Sequence, residues 1–183
     1  MTRFHRPLLA VAAGLLLSPL LAGHATAAEG SPGPAFVDLV DYPTYYAQGA
    51  AFHDLRRRLR VGFDDVCMDT ICEGEFTDYQ ALKMRCAVET ASGMVTECRW
   101  AFAASELEVD PASGRVGGQQ PRWLCALPIP AGTTVPAFFA ALAGPRAIFQ
   151  QLPGASQSVF EAISECLGGS GDRGRAAQWG QAG

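Results

Sequence analysis

The sequence predicts an α+β domain: an antiparallel β-meander of about four strands, with an N-terminal helix and two C-terminal helices packed on it, braced by disulfides. Three observations carry this. Residues 81–103 hold two runs of alternating apolar and polar side chains on either side of a glycine-bearing turn. Helical stripes lie before and after the strand-like region, not within it. All six cysteines fall after residue 66, in a chain that opens with the layout of an export signal.

That signal covers residues 1–28. Arg3 and Arg6 form a basic start, residues 8–21 an apolar stretch, and Ala25, Ala27 and Ala28 the small residues of a cleavage site. Pro19 interrupts the apolar run, which is short of the ~20 residues a membrane span needs. The mature chain is therefore expected in the periplasm or outside the cell, with no membrane insertion. Without Arg3 and Arg6 it keeps 12 basic against 18 acidic side chains, a net charge of −6. Such a surface repels phosphate backbones, which argues against a nucleic-acid partner and for a basic protein. Residues 29–35, EGSPGPA, read as a linker, 36–167 as a single α+β domain, and the Gly-rich 168–183 as a disordered tail.

The elements follow in order. A helix is expected over 44–60, capped by Thr44, with Tyr45, Gln48, Phe52, Leu55 and Leu59 near one stripe and Arg56, Arg57, Arg58 and Arg60 on a solvated face. In the first strand Leu82, Met84, Cys86 and Val88 alternate with Lys83, Arg85 and Glu89. A three-residue turn, Ala91-Ser92-Gly93, leads to a strand in which Met94, Thr96, Cys98, Trp100 and Phe102 share a face. Val88 then faces Thr96, Cys86 faces Cys98, Met84 faces Trp100 and Leu82 faces Phe102. A similar turn in DPASGRV (110–116), flanked by ELEV and RVGG, predicts a second hairpin in the same sheet. Trp123, Cys125 and Leu127 mark a last strand that Pro128 and Pro130 end. Thr134 or Thr133 caps VPAFFAALA, and Ser158 with Glu161 forms a capping box for VFEAISECL.

Six cysteines in an oxidising compartment imply three bridges. Cys86 and Cys98 lie opposite each other in the hairpin, within disulfide range. Cys67 and Cys72 can close a small loop, leaving Cys125 for Cys166. The alternative has Cys67 or Cys72 bridging into the sheet.

The segment with chemical character is 63–78, FDDVCMDTICEGEFTD. Asp64, Asp65, Asp69, Glu73, Glu75 and Asp78 crowd around Cys67 and Cys72 with no basic residue among them. The cysteine spacing suits neither zinc nor a thioredoxin-like redox pair. Calcium takes oxygen ligands, yet the D-x-[DN]-x-[DN]-G loop pattern is absent. His53, the one histidine after the signal, has no serine or cysteine at a recognisable catalytic spacing. No metal or other cofactor is expected. The sequence thus predicts a non-enzymatic periplasmic or secreted binding protein, an inhibitor or immunity factor covering a basic target through an acidic, cysteine-braced loop over 64–78. The alternatives are a small envelope-polymer hydrolase using a carboxylate pair and a calcium-binding secreted domain. Oligomeric state has no signal in the sequence.

Overall fold

Phe52, Leu55, Leu59, Phe63 and Cys67 recur at helical spacing, and each is buried on one side of helix α1, Gly49–Cys67. The computed structural model describes residues 33–67, 76 and 78–168. The expected signal segment, Cys72 and residues 169–183 lie outside them. The described residues belong to one compact unit. Strand β1 (Phe36–Asp38) leads through a 3-10 turn (Leu39–Asp41) into α1. Then come β2 (Gln80–Glu89), β3 (Met94–Ala103), β4 (Glu106–Val109), β5 (Val116–Gln119) and β6 (Arg122–Ala126). Helix α2 (Val135–Ala141), a second 3-10 turn (Ala147–Phe149) and α3 (Val159–Gly168) follow.

The main sheet is antiparallel, in the order β1-β2-β3-β6. Its buried residues, among them Met84, Cys86, Val88, Cys98, Trp100, Phe102, Trp123 and Cys125, form one core with the apolar sides of the three helices. This is the disulfide-braced α+β fold that the sequence predicts. Its strands are assigned differently, however. β1 was not expected, because three residues are too few to show a period. The β4–β5 hairpin is not part of the main sheet but a separate two-stranded ribbon inserted between β3 and β6.

The central hairpin departs from simple alternation at two points. Cys86 pairs with Cys98 and Met84 with Trp100 as expected, but Val88 faces Val95 rather than Thr96, and Phe102 faces Ala81 rather than Leu82. An extra residue in β3, near Thr96, shifts the register by one, and an extra residue in β2, near Leu82, shifts it back. Each bulge flips the side chains beyond it to the other face. Val95 and Ala81 therefore enter the core, while Met94, Thr96 and Leu82 turn outward. The turn holds four residues, Thr90–Gly93. Gly93 takes φ +69°, and its N–H donates to the Glu89 carbonyl at 2.9 Å. The second turn copies it: Gly114 also takes φ +69° and donates to the Asp110 carbonyl at 2.8 Å.

Helix α1 starts later and ends later than the expected 44–60. Tyr46 has φ +58°, outside helical range, and the Asp41 carboxylate accepts its N–H at 2.9 Å. Residues 45–48 are thus a turn, Thr44 is no helix cap, and Tyr45 is 88 % exposed instead of lying on the apolar stripe. At the other end Phe63 and Cys67 continue the stripe past the arginines. Gly62 allows a close approach here, because a Cβ would stand 2.9 Å from Cγ2 of the buried Ile148. Arg58 is half-buried rather than solvated, and its guanidinium donates to the Leu142 carbonyl, at the end of α2, at 3.4 Å.

The C-terminal helices form as their caps dictate. Thr134 Oγ1 accepts the Ala137 N–H at 3.4 Å. The Glu161 carboxylate accepts the Ser158 N–H at 2.6 Å, while Ser158 Oγ accepts the Glu161 N–H at 3.2 Å, closing the capping box. Cys86–Cys98 and Cys125–Cys166 are both bridged, with Cα atoms 4.0 and 5.7 Å apart. Cys67 is also disulfide-bonded. No helix among the described residues is long and apolar enough to cross a membrane.

Two stability predictions follow from these constraints. Replacing Cys125 and Cys166 by alanine should cost about 4 kcal/mol, against about 3 kcal/mol for Cys86 and Cys98, from loop-closure entropy alone. The order reflects sequence separations of 41 and 12 residues, and guanidinium unfolding would check it. The Ser158 backbone N–H, followed by its hydroxyl, holds the Glu161 carboxyl below its ordinary value of 4.5. A lowered carboxyl stabilises the fold above its unfolded pKa, and the gain is lost as pH falls through the folded value. The stability difference between wild type and Glu161→Gln should therefore be present at neutral pH and vanish once acid titrates the glutamate.

Candidate functional site

Three of the six expected contact carboxylates can be placed, and they are not in one loop. Asp64 and Asp65 sit on the last turns of α1, both exposed, because the helix runs on to Cys67. Residues 64–67 of the expected loop over 64–78 are therefore helical. Arg60 Nε lies 3.8 Å from Asp64 Oδ2, one helical turn away. That ion pair partly offsets carboxylates at a helix C-terminus, where the dipole disfavours negative charge. Asp69, Glu73 and Glu75 lie outside the described residues, as does the Cys72 half of the expected small loop.

The two ends of the acidic stretch are well anchored. Cys67 is buried and bridged. Phe76, a residue that the density of carboxylates obscures in the sequence, is buried at the other end. Its ring meets Trp123 edge-on at 5.9 Å and Tyr79 at 6.4 Å, and Tyr79 stacks on Trp123 at 5.4 Å. These rings tie the chain to β6. Asp78 follows at the root of the inserted ribbon, where its carboxylate accepts hydrogen bonds from Gln80 Nε2 at 3.3 Å and Ser105 Oγ at 3.0 Å.

The ribbon is the surface that sequence reasoning missed. Leu107 pairs with Gly118 and Val109 with Val116, so the three apolar side chains share one face. They are 66, 64 and 68 % exposed. Glu106 and Glu108, paired with Gln119 and Gly117, occupy the other face. An open trough of about 810 Å³ runs along the ribbon, lined by Glu106, Glu108, Asp110 and Arg115 together with Val109 and Val116. At the tip, Asp110 Oδ1 accepts the N–H groups of Ala112 (2.8 Å) and Ser113 (3.1 Å). Those bonds hold its carboxyl below the usual aspartate range and keep it ionised. One signal was available in the sequence: ELEV and RVGGQ carry three large apolar residues and two glycines, too little to fill a share of a common core.

Among the described residues no group of three or more His, Cys, Asp or Glu is placed to hold a metal ion. Phe76→Ala should cost about 3–5 kcal/mol, as for other buried aromatic truncations. Asp64→Asn should change stability by less than about 0.5 kcal/mol, because its ion pair is exposed. Thermal melts of both variants would separate an anchored stretch from a freely tethered one. Comparison with protein-family models, curated proteins and solved structures returned no match to this chain, so its function has to be argued from its own surfaces.

Proposed function

We propose that the protein is a non-enzymatic periplasmic or secreted binding protein, of the inhibitor or immunity-factor type, that docks the β4–β5 ribbon into a basic partner. The observation that carries this reading is the ribbon itself, exposed along nearly its whole length with an apolar face turned to solvent. An isolated two-stranded hairpin is marginal in water, and contiguous exposed apolar side chains mark contact surfaces. A partner groove would bury Leu107, Val109 and Val116 at about 1.5–3 kcal/mol each.

Charge selects the partner. Between residues 106 and 119 the ribbon carries Glu106, Glu108 and Asp110 against Arg115 alone. Asp78 adds a carboxylate at its root, and the expected net charge of the mature chain is −6. A second copy would bring like charges together, whereas a basic surface would be steered toward the ribbon. The compartment in this reading rests on the pattern of residues 1–28 together with the disulfides. The acidic stretch around Asp64, Asp65 and Asp78 supplies added negative field beside the contact rather than the contact itself.

A photo-reactive amino acid introduced at Val116, and separately at the exposed Leu124 of β6, would test the proposal in producing cells. A covalent adduct to a basic protein is expected at position 116 and not at 124. The triple change Leu107→Ser, Val109→Ser and Val116→Ser should weaken that complex at least tenfold while leaving the melting temperature nearly unchanged. Adducts at 124 with none at 116 would overturn the assignment.

A further inference from the structure

A second concave site lies beside α1, away in sequence from the ribbon. His53, Arg56, Arg57 and Arg60 follow one another at i, i+3, i+4 and i+7, so they form one stripe of the helix. The stripe does not face open solvent alone. With Leu82 and Trp100 it lines a cleft of about 220 Å³, and among the described residues no carboxylate is part of the lining. Trp100, 2 % exposed, belongs to the buried core beneath, and the β2 bulge turns Leu82 outward at the lip, 51 % exposed. Simple alternation would have placed Leu82 in the core. A bulge that re-aims an apolar side chain to the mouth of a cationic cleft is a feature found beside binding sites.

The cations are available to a ligand. Arg56 stands over the Phe52 ring, 6.0 Å from its centroid, an arrangement that positions the guanidinium without neutralising it. Among the described residues, the ion pairs of Arg57 and Arg60 are long and exposed, to Asp54 at 3.7 Å and Asp64 at 3.8 Å, and an incoming oxyanion can replace them. Guanidinium forks match the tetrahedral oxygens of phosphate two at a time. The apolar floor and lip offer nothing to a bare anion and suit a carbon group attached to it. The volume is below that of a drug-sized pocket, which limits the ligand to one head and one small apolar flank.

We propose that this cleft binds a phosphomonoester carried on a small apolar group, with Arg56, Arg57 and Arg60 on the phosphate and Leu82 and Trp100 on the carbon flank. A free small molecule, rather than a lipid headgroup in a bilayer, is the assigned source, because a net-acidic chain, −4 over the full sequence and −6 in the expected mature form, is repelled by an anionic surface.

Calorimetric titration of the purified secreted chain with phenyl phosphate, inorganic phosphate and phenol tests this. Phenyl phosphate should bind one to one, at least fivefold tighter than inorganic phosphate, and phenol should show no saturable binding. The Arg56→Gln, Arg60→Gln double variant should lose at least tenfold in affinity for phenyl phosphate with a nearly unchanged melting temperature, since Arg60 is exposed and the half-buried Arg56 is replaced by a side chain whose methylenes still cover Phe52. Leu82→Ser should narrow the preference over inorganic phosphate, and the ribbon serine variant should bind as wild type does. Equal affinity in wild type and the arginine double variant, or no saturable binding by wild type, would overturn the site. Equal affinity for phenyl phosphate and inorganic phosphate would overturn the apolar flank. Recovery on phosphatidylcholine vesicles containing phosphatidic acid would overturn the free-ligand assignment.

Discussion

The packing of Phe63 against Trp100 and Phe102 organises the rest of the molecule. Its ring centroid lies 4.9 Å from that of Phe102 and 6.3 Å from that of Trp100, and those two rings are 4.9 Å apart. All three side chains are almost fully buried. Each aromatic contact adds about 0.5–1.5 kcal/mol to what area burial supplies. More important is what the cluster fixes in place. It seats α1 on the central hairpin, and Gly62, one residue earlier, lets the Ile148 turn close over the same helix. With α1 so placed, Cys67 is carried into the core and the acidic stretch leaves from a fixed point.

The central hairpin can serve as a base for that helix because its own register is over-determined. The Cys86–Cys98 bridge crosses directly between paired residues, in the stretch between the two bulges. Each bulge shifts the pairing by one, and the shifts cancel, so the strands leave the hairpin with the alignment they had at its turn. Between the bulges the bridge excludes any other pairing. Beyond them, the same irregularity serves two ends: it packs Ala81 and Val95 into the core and turns Leu82 toward the arginine stripe. Core and cleft therefore depend on one local geometry. A repair of the β2 bulge would be felt in both.

Much of this was legible in the sequence where a residue type has one dominant physical use. Ser158 and Glu161 at capping-box spacing, Thr134 before an apolar helix, and Cys86 opposite Cys98 each formed as their chemistry dictates. The Cys125–Cys166 bridge was one of two arrangements the sequence left open, the other having Cys67 or Cys72 bridge into the sheet, and the structure shows it formed. What could not be read depends on context. A bulge leaves no mark when apolar and polar residues are available on both sides of it, as Leu82 and Lys83 or Val95 and Thr96 are. Tyr46 carries no sign that it will adopt a left-handed conformation, which only the Asp41 carboxylate and its neighbours impose. Phe76 is hidden among carboxylates, and its burial depends on Trp123, almost fifty positions later in the chain. Alternation in ELEV identified a strand correctly but could not say which sheet would receive it.

Net charge illustrates the same limit from the side of function. The net charge, −4 for the full sequence and −6 for the expected mature chain, describes the field at a distance, where it disfavours contact with extended polyanions. Within a cleft the relevant length is the screening distance, about 8 Å at physiological salt, and the charges inside that radius decide. On α1 the cleft is lined by three arginines, two of them in exposed ion pairs with Asp54 and Asp64, and on the ribbon three carboxylates stand against one arginine. The two surfaces are thus suited to opposite ligands although they belong to one acidic chain. In the proposed docking the far field would steer a basic macromolecule toward the protein, while a small anion, whose encounter needs no long-range steering, would be held in the proposed cleft by arginines placed around an apolar floor. An exclusion drawn from composition therefore applies to extended polyanions and not to a single phosphate.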